Sequence, residues 1–274
     1  MNEGQFRAMR SIRFTVHGQA LRMKKPSGRT IPLSLPRRWI GDLVAFSQKV
    51  PTVAVERTLR VKALTDARGS VSNPPGWCAI FTKSFGIVSA RFPELRRSYL
   101  NFPFARLYEH PQSVAALVVG RDFQGEDAVF LGLMQAPETL SLPEIQRRVR
   151  QLKESPIKEM GSYRRLIRTT KFPWPIRRML WWYGLCVSGK QKSTNFGTYS
   201  VNSVRTMGIR MIQFLVPITS TLYYSSPGAD GELNIQMAFD HRVFDALTAG
   251  RALAELEKVL NNEMVAEITK SSGR

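Results

Sequence analysis

Apolar residues recur along this chain with two different periods, and the places where the period changes mark out its elements. Leu233, Ile235, Met237 and Phe239 alternate with other residues, which puts them on one face of a strand over 233–240. Shorter alternating or wholly apolar runs predict strands at 11–17, 50–61, 114–119, 128–133, 196–204 and 209–224. Apolar positions three and four apart predict helices over 37–46, 77–91, 141–154, 158–170, 176–187 and 245–261. In the last of these Ala249, Leu253, Leu256 and Leu260 form one stripe, and in the second Ile80, Ser84, Ile87, Val88 and Phe92 point to burial against a sheet. The breaks fall at turn chemistry: Pro36, Asn73-Pro-Pro-Gly76, Lys171-Phe-Pro-Trp-Pro175 and Gly228-Ala-Asp-Gly231. Ser141, followed by Pro143 and Glu144, is a capped helix entry. Strands and helices are mixed with no linker between them, so the pattern predicts a single α/β domain.

Size and composition agree with that reading. The 274 residues are enough to bury a core, and shares of 43% hydrophobic and 22% charged residues exclude disordered and collagen-like chains. Charge adds something new. Forty Lys and Arg against 21 Asp and Glu give +19, a field that attracts nucleic acid, acidic membranes, phosphorylated cofactors or acidic proteins. Over half of the excess sits in residues 144–192, which hold thirteen basic and three acidic residues and end among Phe172, Trp174, Trp181, Trp182 and Tyr183. That stretch fits a solvated helix face over buried aromatics, a docking surface for an acidic carrier protein or phosphorylated cofactor, or an amphipathic segment in peripheral contact with an anionic membrane. Nucleic acid is disfavoured, because zinc-finger spacing, Gly-rich RNA-binding signatures and recognition-helix patterns are missing. Cys78 and Cys186 sit in apolar surroundings and are expected as buried free thiols, and no Cys/His ligand spacing points to a metal. The first residues lack the layout of a signal peptide and no apolar run reaches about 18 residues. A cytoplasmic setting is therefore expected, with the inner face of the membrane as a place of peripheral contact.

One segment carries candidate chemistry. Continuing the period of two past Phe239 puts His241 on the same inward face and turns Asp240 the other way. An imidazole at the end of a buried strand can serve as a general base toward a thiol or hydroxyl. Asp245 then opens the last helix. The same residues also fit a core histidine and a simple helix cap, and spacing alone leaves both readings open. His17 and His110 have no partner motif.

Phe239-Asp-His-Arg-Val-Phe-Asp-Ala246, followed by a Leu/Ala-rich helix, resembles the C-terminal signature of dihydrolipoyl acyltransferases, the core subunits of 2-oxoacid dehydrogenase complexes. Its broader His-x-x-x-Asp pattern is shared with chloramphenicol acetyltransferase. Three segments fall in family order: Ile31-Pro-Leu-Ser34 with Arg37-Arg38, Trp77 to Leu95, and Gly197-Thr-Tyr-Ser-Val-Asn-Ser203. Together they delimit an acyltransferase-like catalytic domain at 31–261, with an N-terminal arm at 1–30 and a C-terminal tail at 262–274. The resemblance implies a chloramphenicol acetyltransferase-like two-layer sandwich, a mixed sheet with helices packed on it, in a homotrimer whose site lies in a channel between subunits. It implies that His241 is the general base and that Asp245 is held by an ion pair with Arg37. Asn202 stands where the family has a serine that donates to the oxyanion, with Ser203 next to it, and an amide can also donate. The acyl group would come from a thioester on coenzyme A or an acidic acyl carrier protein, as co-substrate with no bound cofactor or metal, and pass to a thiol, hydroxyl or amine. The family's lipoyl-bearing domain and its Ala/Pro-rich linker are not read in the sequence, so a free-standing enzyme is expected. Asn202, and Ala246 in place of the family's glycine, also leave room for an inactive member acting as a binding or scaffold protein.

Overall fold

Ser34 accepts the Arg37 amide at 3.3 Å and Pro36 sits in the first turn, which starts α1 at Leu35 and carries it to Ser47. The computed structural model describes residues 28–203 and 215–272, so the strand expected at 11–17 and part of that expected over 209–224 lie outside them. The chain divides at Pro32/Leu33, and every element named belongs to the second unit. After α1 come β1 (Thr52–Arg60), α2 (Lys62–Gly69) and α3 (Trp77–Arg91). Then come a small antiparallel pair, β2 (Arg97–Leu100) with β3 (Arg106–Glu109), and a hairpin, β4 (Val114–Phe123) with β5 (Glu126–Gln135). Four helices follow: α4 (Leu142–Glu154), α5 (Gly161–Lys171), α6 (Trp174–Trp182) and α7 (Gly189–Phe196). β6 (Tyr199–Ser203), β7 (Ser220–Tyr224), β8 (Glu232–Asp240), α8 (Ala246–Val259) and α9 (Val265–Ser272) complete the order.

Six strands form one mixed sheet in the order β1-β8-β7-β6-β4-β5, parallel at β4–β6 and β6–β7 and antiparallel elsewhere. The β4–β5 hairpin closes through Gln124 and Gly125 at φ 60° and 79°, the two left-handed residues that a tight two-residue turn requires. Gly197, at φ 85°, brings α7 into β6 where an added Cβ would lie 2.9 Å from the Val114 carbonyl oxygen.

One face of the sheet carries the main core. Leu233, Ile235, Met237 and Phe239 of β8 face it as predicted, under α8, with Tyr199 of β6 edge-on to Phe85 of α3. α3 has the predicted bounds, but it is buried around most of its circumference rather than on a single stripe. Its neighbours α4 and α8 leave Lys83 inside, where it pairs with Glu267 of α9 at 2.5 Å. Residues from 262, expected as a tail, instead continue as helix to 272: Met264 and Ile268 are each 1% exposed, and Glu267 also accepts the Leu142 amide at the start of α4. α1 and α5–α7 gather around the β5 end of the sheet, where α5 covers the edge that β5 would otherwise expose. α7 was not predicted. Its buried positions are Gly189, Lys192 and Phe196, a helical spacing hidden by a lysine in the middle.

Candidate active site

β8 ends at Asp240, and its last residue decides where the imidazole goes. Asp240 is 2% exposed and grips Arg242: its Oδ1 accepts from the Arg242 amide (3.1 Å) and Nε (2.8 Å), and its Oδ2 from Nη2 (2.7 Å). The Arg242 guanidinium lies 4.3 Å from the Tyr99 ring centroid. The clamp closes a tight turn, with the Val243 amide returning to the Asp240 carbonyl and the His241 amide donating to Pro51. His241 is exposed beside the Phe239 ring (centroids 5.8 Å) rather than inward, while Asp240, on the other face of the strand as expected, is buried there. The strand pleat stops at 240, and past that point turn geometry aims the side chains.

Under this turn lies a buried polar cluster that the sequence did not reveal. Lys192 of α7 is 3% exposed and donates to the Tyr99 carbonyl at 3.3 Å. Burial pushes its pKa down to about 8, against the pull of Asp240 and with the help of Arg242. His110, 1% exposed, sits 3.0 Å from Ser98 Oγ, which in turn approaches Thr219. Burial, then Lys192 and Arg96, hold the His110 pKa at about 4, so the ring is neutral. Its partners come from β2 and from the segment before β7, so no local motif announces it.

Asp245 caps α8 by accepting the Thr248 amide at 3.0 Å, and that bond, with the nearby His241 contributing, lowers its pKa. The expected Asp245–Arg37 ion pair is not formed. Arg37 pairs with Glu126 at 3.2 Å, at the β5 end of the sheet, and β5 and β8 are four strands apart, about 19 Å. The α1 basic residue is thus committed to the opposite end of the sheet.

Asn202 and Ser203, expected as neighbours at one oxyanion site, point to opposite faces of β6. Ser203 lines a cavity of about 430 Å³ with Trp77, Lys153 and Tyr224 on the α3 side. Asn202 lies on the other face, where its amide donates to Ser200 Oγ at 3.2 Å and to the Tyr223 hydroxyl. Register sets its distance from the imidazole. Asn202 is opposite Tyr223, and Tyr223 is opposite Gln236, five residues before His241 on β8. The two are separated by about 17 Å along the strand direction alone. One chain does not bring its candidate base and its candidate oxyanion donor together.

The basic stretch 144–192 is less uniform than its composition suggests. Arg177 and Arg178 close on the buried carboxylate of Asp42 in α1, Arg148 pairs with Glu144 at 2.6 Å, and Lys192 is inside. Trp181 stacks in a small core with Trp39, Phe46 and Phe196, while Trp174, Trp182 and Tyr183 remain exposed. Cys78 and Cys186 are free and only half-buried, with desolvation raising both thiol pKa values. Among the described residues no group of three His, Cys, Asp or Glu could hold a metal ion, and no helix is long and apolar enough to cross a membrane.

No protein-family model and no curated protein matches this chain. Solved structures do. The chain is similar to a probable dihydrolipoamide acetyltransferase from Listeria monocytogenes at 18% identity and a TM-score of 0.59, over 89% of this chain and 96% of that one. It is similar to the dihydrolipoamide acetyltransferase of Azotobacter vinelandii, studied for the roles of a serine, a histidine and an asparagine in its mechanism, at 15% identity and a TM-score of 0.62, over 91% and 98%. A truncated catalytic core of the 2-oxoacid dehydrogenase complex from Thermoplasma acidophilum aligns at 15% identity and a TM-score of 0.58, over 86% and 99%. At these identities the likeness is one of fold, and the chain has the fold of dihydrolipoamide acetyltransferase catalytic cores.

Proposed function

We infer that this chain is an acyltransferase that works as a homotrimer, with His241 of one copy facing Asn202 of the next. The observation that carries this reading is the separation of the two groups, which cannot share a site within one chain. The relatives from Listeria and Azotobacter are acetyltransferases, and the histidine and asparagine studied in the latter are four residues apart, as His241 and Asp245 are here.

In the reaction, His241 takes the proton of an acceptor thiol, hydroxyl or amine as the acceptor attacks a thioester carbonyl. The tetrahedral oxyanion accepts a hydrogen bond from the Asn202 amide, which leaves Ser200 to make it. The intermediate collapses with cleavage of the carbon–sulfur bond, and the departing thiolate recovers the proton from the imidazolium. Coenzyme A or an acyl carrier protein brings the acyl group, drawn by the excess positive charge. Asp245 fixes the start of α8 behind the turn, and the Asp240–Arg242 clamp sets the direction of the imidazole.

Purified protein offered a panel of acyl thioesters and acceptors should give a transferred-acyl product by mass spectrometry. His241→Ala should lower the rate by about 10²–10⁴ while leaving the melting temperature unchanged, because the ring is exposed. The engagement of the Asn202 amide within its own chain favours a second reading, a binding or scaffold protein without chemistry. That reading requires the His241→Ala protein to function unchanged.

A further inference from the structure

A cavity of about 720 Å³ lies between the β5 end of the sheet and helices α5, α6 and α7, and the chemistry described so far gives it no role. Its apolar walls come from Leu131 and Leu133 of β5, Leu166 of α5, Ile176 and Leu180 of α6, and Phe196 of α7, beside polar residues such as Ser162 and Gln191. Arg165 and Arg168 also line it, and no Asp or Glu does. Arg165 is held in place by the Thr194 carbonyl and Asn195 Oδ1, and among the described residues neither arginine has a carboxylate partner. Ile176 and Leu180 are 42% and 40% exposed at its margin, apolar surface left uncovered by the chain itself. The volume lies within the range of about 300–1,000 Å³ usual for small-molecule sites.

Register ties this cavity to the proposed site. Leu133 is opposite Ala116, and Ala116 is opposite Ser200, so all three share a sheet face. Asn202, two residues past Ser200, is on that same face, with the β5 cavity floor two strands, about 10 Å, to the side.

We propose that the cavity binds the hydrocarbon chain of a single-chain anionic amphiphile, with its carboxylate or phosphate at the arginines. Binding in the cavity does not rest on the acyltransferase reading. The four enclosing elements favour a single inserted chain over contact with a flat lipid surface.

Titration calorimetry of the full-length protein with dodecanoate and with dodecanol tests it, alongside anionic phosphatidylglycerol vesicles. Dodecanoate should bind saturably, one per chain. Leu133→Trp should weaken it at least about tenfold by filling the cavity. Leu180→Glu, at a half-exposed position where folding is not at stake, should weaken it as well. Arg168→Glu should weaken dodecanoate and leave dodecanol unchanged. Non-saturable binding, equal affinity in both blocking variants, or binding of vesicles alone overturns the proposal. His241→Ala should bind dodecanoate as the wild type does. Saturable binding without transfer from any thioester sinks only the acyltransferase reading, and transfer of short acyl groups without dodecanoate binding sinks only the cavity assignment.

Discussion

His241 is exposed and Asp240 buried, although strand periodicity assigns the histidine to the inward face, and the reason is local. Alternation along Leu233 to Phe239 was legible in the sequence and is found. The point where the pleat ends was not, because it depends on Arg242 closing on Asp240 and on Tyr99 receiving the guanidinium from a strand more than a hundred residues away. His110 was equally hidden, since its polar neighbours Ser98, Lys192 and Arg96 come from elsewhere in the chain and only Tyr108 is local. Its environment makes a prediction with a definite sign. The folded pKa, about 4, lies below the usual histidine value of 6.5, so the unfolded chain binds more protons between those pH values. Stability is full above about pH 6.5 and falls as pH drops through 4, by up to about 3 kcal/mol. Lys192 titrates in a separate window, from about 8 upward, where release of its proton adds stability. Urea midpoints measured from pH 7 to pH 4 should show the acid loss in the wild type and a flatter profile in His110→Gln, whose amide can still bond Ser98. An unchanged profile would mean that His110 is not the group responsible.

Helices with an apolar stripe and a capped start were readable at the level of elements: α3 has its predicted bounds, and α4 starts at Ser141 as its chemistry requires. Elements whose buried positions are filled by polar residues were not. α7 buries Lys192, and α6 is fastened to α1 by Arg177 and Arg178 around Asp42, a carboxylate only 1% exposed. Composition counts those arginines as surface charge, while the fold uses them as a clasp between helices on one wall of the 720 Å³ cavity. Removing the acid leaves Arg177 buried without its counter-charge. Asp42→Ala should therefore cost about 3–5 kcal/mol in denaturant unfolding, more than a surface ion pair would. A loss below about 1 kcal/mol would show that the clasp is solvated and that α6 is held by its aromatic contacts instead.

Across the whole molecule, the resemblance in the sequence carried the fold correctly, while side-chain pairings within one chain differ from those it implied. Arg37 serves Glu126 rather than Asp245, because pairing across the sheet, unlike motif order, is not written in any one segment; Asn202 and Ser203 face opposite ways because consecutive strand residues alternate. What the register does fix is the distance between His241 and Asn202, and with it the need for two copies. Mixing two inactive variants tests this most directly. His241→Ala and Asn202→Ala, each inactive alone, should regain about a quarter of wild-type activity when refolded together at equal amounts, since in a ring one interface in four then joins an intact histidine to an intact asparagine. Recovery at that level is the result predicted here; mixtures that stay as inactive as their parents would contradict a site shared between subunits.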